Sequence, residues 1–196
     1  MKLLSNVLAA MGLLALGYWA VELARARLYQ VHERRRFAEG RREPPADTVP
    51  PTISPTTARP YPSSGSAIAM LTIPRLGMSA VVLEGAGERE LKLGPGHIRG
   101  TALPGDGGNV GVASHRDTFF RPLRFIRTKD TIKVVAHKQE YLYEVVSTKI
   151  VTPDDIGVLY PTGREGLTLV TCYPFNFVGA APKRFIVRAD CLNCSR

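Results

Sequence analysis

Leu167-Thr168-Leu169-Val170-Thr171-Cys172, followed by Tyr173-Pro174, is the stretch on which the fold turns. Six apolar and β-branched residues in a row have the length and composition of a buried strand. Proline has no amide hydrogen to give a ladder, so Pro174 ends the pairing and leaves Cys172 at a strand end. Working outward, runs of the same kind recur at 68–73, 80–83, 109–114, 132–136, 141–151 and 184–189. Turn chemistry separates them. Leu103-Pro104-Gly105-Asp106-Gly107-Gly108 precedes one run, and Ala136-His137-Lys138-Gln139-Glu140 joins two others as a hairpin. Helical turns are expected over 89–93 and 119–126. Many short strands at this spacing predict an all-β barrel or sandwich, and no repeat of 20 to 50 residues is visible.

A length of 196 residues allows one ordinary domain plus a targeting segment. With 44% hydrophobic and 22% charged residues the chain is too apolar for wholesale disorder and too polar for a multispan membrane protein. The formal charge of +9 divides into +4 over residues 1–43, 0 over 44–66 and +5 over 67–196. Apart from Arg34-Arg35-Arg36, no dense basic run is interleaved with aromatics, so no nucleic-acid partner is expected. Three cysteines are too few for a disulfide scaffold.

Residues 3–23 read LLSNVLAAMGLLALGYWAVEL, uncharged from 7 to 21, with Tyr18 and Trp19 placed as headgroup-level rings. About 20 residues suffice for a membrane helix. Ala24-Arg25-Ala26 is a poor cleavage site, so a retained single-pass anchor over 1–23 is expected in place of a cleaved signal peptide. Arg25, Arg27 and the 34–36 triplet outweigh Lys2, and the positive-inside rule alone would leave the rest of the chain in the cytoplasm. Residues 24–43 have a helical, mixed-charge composition and are expected to form an exposed juxtamembrane extension. Seven of the 15 prolines fall between 44 and 62, so residues 44–66 read as an extended linker. The β-domain then occupies 67–190, and 191–196 form a tail.

Cys172 stands outside any CxxC and is the candidate nucleophile; the alternative is a small buried hydrophobe. His115 follows the run 109–114 and is the histidine at a strand end, although a lone histidine is more often a structural hydrogen-bonding group. Arg184 opens the last strand, where its rigid planar donor set suits an oxyanion or a carbonyl, or marks only a surface cation. Cys191-Leu192-Asn193-Cys194 has no second pair to complete a zinc site and reads as a local disulfide or two exposed thiols. No metal site and no cofactor are expected.

The domain resembles the sortases, most of all class D. The resemblance rests on Ile73-Pro74-Arg75-Leu76, on Gly94-Pro95-Gly96-His97 through Leu103-Pro104-Gly105, and on His115-Arg116-Asp117-Thr118-Phe119-Phe120-Arg121. It is densest over 168–177 and 181–187. It implies a sortase-like eight-stranded β-barrel with short helices, preceded by an N-terminal transmembrane helix. By the same resemblance Cys172 is the nucleophile, His115 its partner and Arg184 the residue that holds substrate and stabilises the tetrahedral intermediate. Ser114 departs from the glycine common in the family at that place.

The activity implied is that of a membrane-anchored cysteine transpeptidase with an extracytoplasmic domain. Its partners are secreted proteins bearing an LPxT-like C-terminal sorting signal, with an alanine after the threonine in class D. The acceptor is an amine, of a peptidoglycan precursor or of a protein. Ile156, Val158, Leu159 and Tyr160 are candidate contacts for the Leu-Pro part of the signal, with Ser114 and Thr171 as further substrate-binding candidates. The alternatives are a thiol hydrolase of the same peptides and a non-catalytic peptide-binding barrel.

Overall fold

The computed structural model describes residues 2–40 and 61–194; residues 41–60, which hold most of the expected proline-rich linker, and 195–196 of the tail lie outside the described residues. In β5 (Thr131–Ala136) Ile132, Val134 and Ala136 are buried while the residues between them turn outward. That period of two marks a strand with one face in a core. Seven further strands complete the fold: β1 (Ala67–Ile73), β2 (Met78–Glu84), β3 (Gly96–His97), β4 (Asn109–Ala113), β6 (Gln139–Val151), β7 (Gly166–Tyr173) and β8 (Lys183–Cys191). They close into a barrel in the order β1-β2-β3-β4-β7-β8-β6-β5.

All seven strands read from the sequence pattern are present. The eighth, β3, is only two residues long and lies inside the Gly94–His97 turn, too short to show a period. His97 is fully buried there, with Nδ1 2.8 Å from Glu84 Oε2, and its Nε2 donates to the Ala102 carbonyl at 3.0 Å. The interior is filled by Leu71, Ile73, Phe120, Leu123, Ile132, Leu167, Leu169 and Val187, each fully buried. Burial of each such side chain stabilises the fold by roughly 1.5–3 kcal/mol.

Helix α1 runs from Lys2 to Gly40, and α2 from Glu88 to Leu93. At 1.5 Å per residue α1 is about 58 Å long, well beyond a hydrocarbon core of ~30 Å. Its candidate span, Asn6–Arg36, has an 18-residue window of mean hydropathy 1.8 with none of that window buried, so the helix could cross a membrane. Beyond the apolar part it lies against the barrel. Ala26, Gln30 and Glu33 are buried, and Tyr29 donates to the Gly65 carbonyl at 3.3 Å. The expected exposure of residues 24–43 is therefore corrected along this face. Residues 26, 30 and 33 share a helical stripe, but being small or polar they give no hydrophobic signal.

Candidate active site

β7 lies between β4 and β8, and its two registers decide what surrounds Cys172. It pairs in parallel with β4, from Asn109↔Gly166 to Ala113↔Val170. The register continues past the end of β4, because the Ser114 amide donates to the Val170 carbonyl at 3.1 Å and Thr171 Oγ1 donates to the Ser114 carbonyl at 2.7 Å. Continued one residue further, the same register would set His115 level with Cys172. On the other side β8 is antiparallel, and Cys172 pairs directly with Arg184.

Leu167 and Leu169 face the core with Val187 and Ala189, so alternation turns Val170 and Cys172 outward with Ile186 and Arg184. Cys172 is a free, half-buried thiol, and His115 and Arg184 are half-buried as well. The structure thus brings three residues that are 57 and 12 positions apart in sequence to one end of the outer face of three adjacent strands.

Backbone carbonyls and aromatic packing hold this end in shape. Arg184 Nη1 donates to the carbonyls of Ala181 and Lys183 at 3.2 and 3.0 Å. Arg116 Nη2 donates to the carbonyls of Phe177 and Gly179 at 2.7 and 2.9 Å, tying the His115 loop to the turn between β7 and β8. Under that turn Phe175 packs on Phe185 with ring centroids 5.3 Å apart, and Tyr173 lies 6.1 Å from Phe175. Such ring pairs contribute ~0.5–1.5 kcal/mol beyond their burial.

At the opposite end of the same face a polar cluster holds the segment between β6 and β7. Arg188 Nη1 donates to the Val158 carbonyl at 3.2 Å and to Thr168 Oγ1 at 3.2 Å, while Nη2 donates to Thr162 Oγ1 at 2.7 Å. Asn109 Nδ2 donates to the Leu159 carbonyl at 2.8 Å. Burial pushes the Arg188 guanidinium below its ordinary value. The carbonyls so held belong to the 3-10 turn Ile156–Leu159, in which Ile156 is exposed and Val158 and Leu159 are half-buried, with Tyr160 exposed just beyond. These four candidates border the outer face of β7 and β8.

Ser114 and Thr171 do not. They are 4% and 2% exposed and join β4 to β7, which corrects their expected place on an open substrate surface. The reason is alternation, since Thr171 follows the inward set Leu167 and Leu169. Ser114 Oγ is buried without a hydrogen-bond partner. The sequence reading missed Arg116, Arg188, Asn109 and Thr168, whose partners are chiefly backbone carbonyls and become visible only with the strand register. At the end of β8, Cys191 and Cys194 form a disulfide, which settles the choice left open for this pair.

A closed eight-stranded barrel with a free, half-buried thiol at the end of β7, paired across the ladder with Arg184 of β8, defines a cysteine-bearing β-barrel class. Comparison with known proteins places the chain within it: the Sortase domain matches residues 71–192, and the chain belongs to the sortase family. It is 36% identical over 127 residues to Sortase D of Bacillus subtilis (strain 168), which covers 64% of this chain and 64% of that protein. The chain thus spans under two thirds of that relative's length, and the similarity agrees with the class D expectation. Among solved structures, the Sortase D5 transpeptidase of Clostridium perfringens superposes with a TM-score of 0.61 at 29% identity, over 67% of this chain and 82% of that one. Sortase C of Clostridium perfringens with the C-terminal cell wall sorting motif gives 0.62 at 25% identity, over 67% and 73%.

Proposed function

We propose that this sortase-family protein is a membrane-anchored cysteine transpeptidase that cleaves an LPxT-type sorting signal after threonine and transfers the acyl group to an amine. The observation that carries the reading is the pairing of Cys172 with Arg184 on β7 and β8, beside a β4–β7 register that ends two residues before His115. The Cys172 thiolate attacks the threonine carbonyl carbon while the carbonyl oxygen takes the negative charge, facing the Arg184 guanidinium. The carbon–nitrogen bond breaks as His115 gives a proton to the leaving amine, and a thioacyl enzyme remains. The acceptor amine then attacks the thioester, loses a proton to His115 and releases the thiolate. An imidazolium beside a cysteine favours the nucleophilic anion.

The outer face supports a four-residue signal. From Thr168, at the Arg188 cluster, to Cys172 is four strand steps, about 13 Å. A tetrapeptide in extended form has the same reach. The Leu-Pro end would then lie near Ile156, Val158, Leu159 and Tyr160, and the threonine carbonyl at Cys172. The sorting motif bound in the Clostridium perfringens sortase C structure supports the same ligand class.

α1 serves as the single-pass anchor, with the barrel outside the cytoplasm. The Cys191–Cys194 disulfide supports that side, because such bonds persist in oxidising compartments, and it outweighs the charge asymmetry around α1. Secreted proteins with the signal are the acyl donors, and a peptidoglycan precursor or protein amine is the acceptor.

The test is mass spectrometry of the full chain in detergent with a peptide containing LPNTA or LPxTG and excess triglycine or diaminopimelate, beside Cys172→Ala. Cleavage after threonine with the amine joined on is the expected result. Cleavage without joining would make the protein a hydrolase, and binding without a thioacyl adduct would make it a peptide-binding barrel.

A further inference from the structure

The proposed reaction does not use the docked half of α1, yet that contact is the most specific one outside the barrel. The Val81 amide donates to Gln30 Oε1 at 2.7 Å, and Gln30 Nε2 donates to the carbonyls of Val81 and Leu93 at 3.2 and 3.0 Å. A primary amide carries the donor and acceptor of a peptide group. Gln30 therefore pairs with β2 as a neighbouring strand would, just where β3 is absent, since β3 pairs only with Leu83 and Glu84. Gly94 makes the room: a Cβ there would stand 2.5 Å from Gln30 Nε2 and 2.8 Å from the Val81 carbonyl oxygen. Left without Gln30, both polar groups of Val81 would need water or another partner.

Further along the same helix lies a cavity of about 690 Å³, with Trp19, Glu22 and Leu23 of α1 on one side and Lys92, His115 and Phe119 on the other. One wall is thus the helix suited to cross a membrane, and the facing wall holds the histidine placed beside Cys172. Trp19 and Gln30 are eleven residues apart, about 16 Å along the axis. With Trp19 at headgroup level, the Gln30 contact holds the barrel directly over the bilayer.

We propose that Gln30 is a positioning residue that locks α1 to β2, so that the membrane helix forms a wall of the catalytic cleft and confines acyl transfer to signals held at the bilayer surface. The proposal rests on the reading of Cys172, His115 and α1 given above. The height of the barrel is then set by the docked helix, and not by the length of chain joining α1 to β1.

The experiment uses the full chain in lipid nanodiscs with the LPNTA peptide attached to a lipid through short or long flexible spacers, or free in solution. Gln30→Leu replaces the amide by an apolar group of similar size, and Gln30→Ala removes it altogether. Because effective concentration is greatest where spacer length matches the span, wild type should favour the short spacer over the long one by about tenfold in kcat/KM. Both variants should flatten that preference to within about twofold. Hydrogen exchange of the Val81 amide should rise in both, with Leu167 and Leu169 still protected, showing that the barrel is folded. An unchanged spacer preference despite exposure of Val81 overturns the proposal, as does an equal loss on free and tethered peptides. Absence of turnover by wild type overturns the transpeptidase reading, and retained Val81 protection in the variants independently overturns the docking.

Discussion

Cys172 and Arg184 are direct cross-strand partners on the outer face of β7 and β8. Such pairs hold their Cβ atoms about 5 Å apart, so the strand ladder starts both side chains from neighbouring positions on one face. Two backbone carbonyls at the base of the β7–β8 turn, those of Ala181 and Lys183, engage only Nη1. The proposed reaction calls on the other donors of the planar group to meet the substrate oxygen at Cys172.

Arg184→Ala is expected to lower kcat by roughly 10²–10³, equivalent to about 3–4 kcal/mol of transition-state stabilisation. Arg184→Lys should recover only a small part, because an ammonium lacks the planar set of donors. Single-turnover formation of the thioacyl enzyme, followed by mass spectrometry, checks both. A variant that acylates at the wild-type rate would remove Arg184 from the chemistry.

Arg188 acts at the other end of the face. Arg188→Met keeps the apolar stem but leaves the carbonyl of Val158 and the hydroxyls of Thr162 and Thr168 without their common donor. The 156–160 segment should loosen, raising KM for the signal peptide by about tenfold with little change in kcat. Unmet buried hydrogen bonds cost about 1–3 kcal/mol, so a fall in unfolding free energy of that order should accompany it. Steady-state kinetics on leucine- and alanine-substituted signals would show reduced discrimination at the first position.

The strand runs were legible because β-branched and apolar residues, punctuated by glycine and proline, mark strands locally. Cys172 was legible as a strand end from Pro174, and His115 and Arg184 from their places beside strands. Their convergence was not, since it depends on a parallel register between β4 and β7 that no local pattern encodes. β3 escaped for want of length. Gln30, Asn109, Arg116 and Arg188 escaped for a different reason: each bonds main-chain atoms far away in sequence, and a backbone carbonyl has no residue identity to recognise. Ser114 and Thr171 are turned inward by the strand alternation, which a reading of position along the chain does not show.

The disulfide and the free thiol make a labelling prediction. In protein prepared without reductant, a thiol reagent should modify one cysteine, Cys172, and Cys172→Ala should take up none. After reduction Cys191 and Cys194 should add two more. Peptide mapping of the label assigns the sites, and modification of Cys191 before reduction would contradict the pairing.

Asp130 gives the fold an acid-sensitive joint. Its carboxylate accepts hydrogen bonds from Nε and Nη2 of Arg75, in the 3-10 turn Pro74–Leu76, and from the Arg127 amide at 2.8 Å. The Arg75 bond first, and the Arg127 amide with it, hold the carboxyl below its ordinary value. A lowered folded-state pKa means that the unfolded chain takes up the proton first, so the stabilisation is fully present above the ordinary aspartate value of about 3.9. It is lost as pH falls through the depressed value of the folded state. Asp130→Asn should therefore lower the urea midpoint by a constant amount above about pH 5 and by a shrinking amount below about pH 4. Unfolding curves at closely spaced pH values check this, and a wild-type minus variant difference that stays flat down to the acid limit would mean that the Arg75–Asp130 pair does not couple folding to protonation.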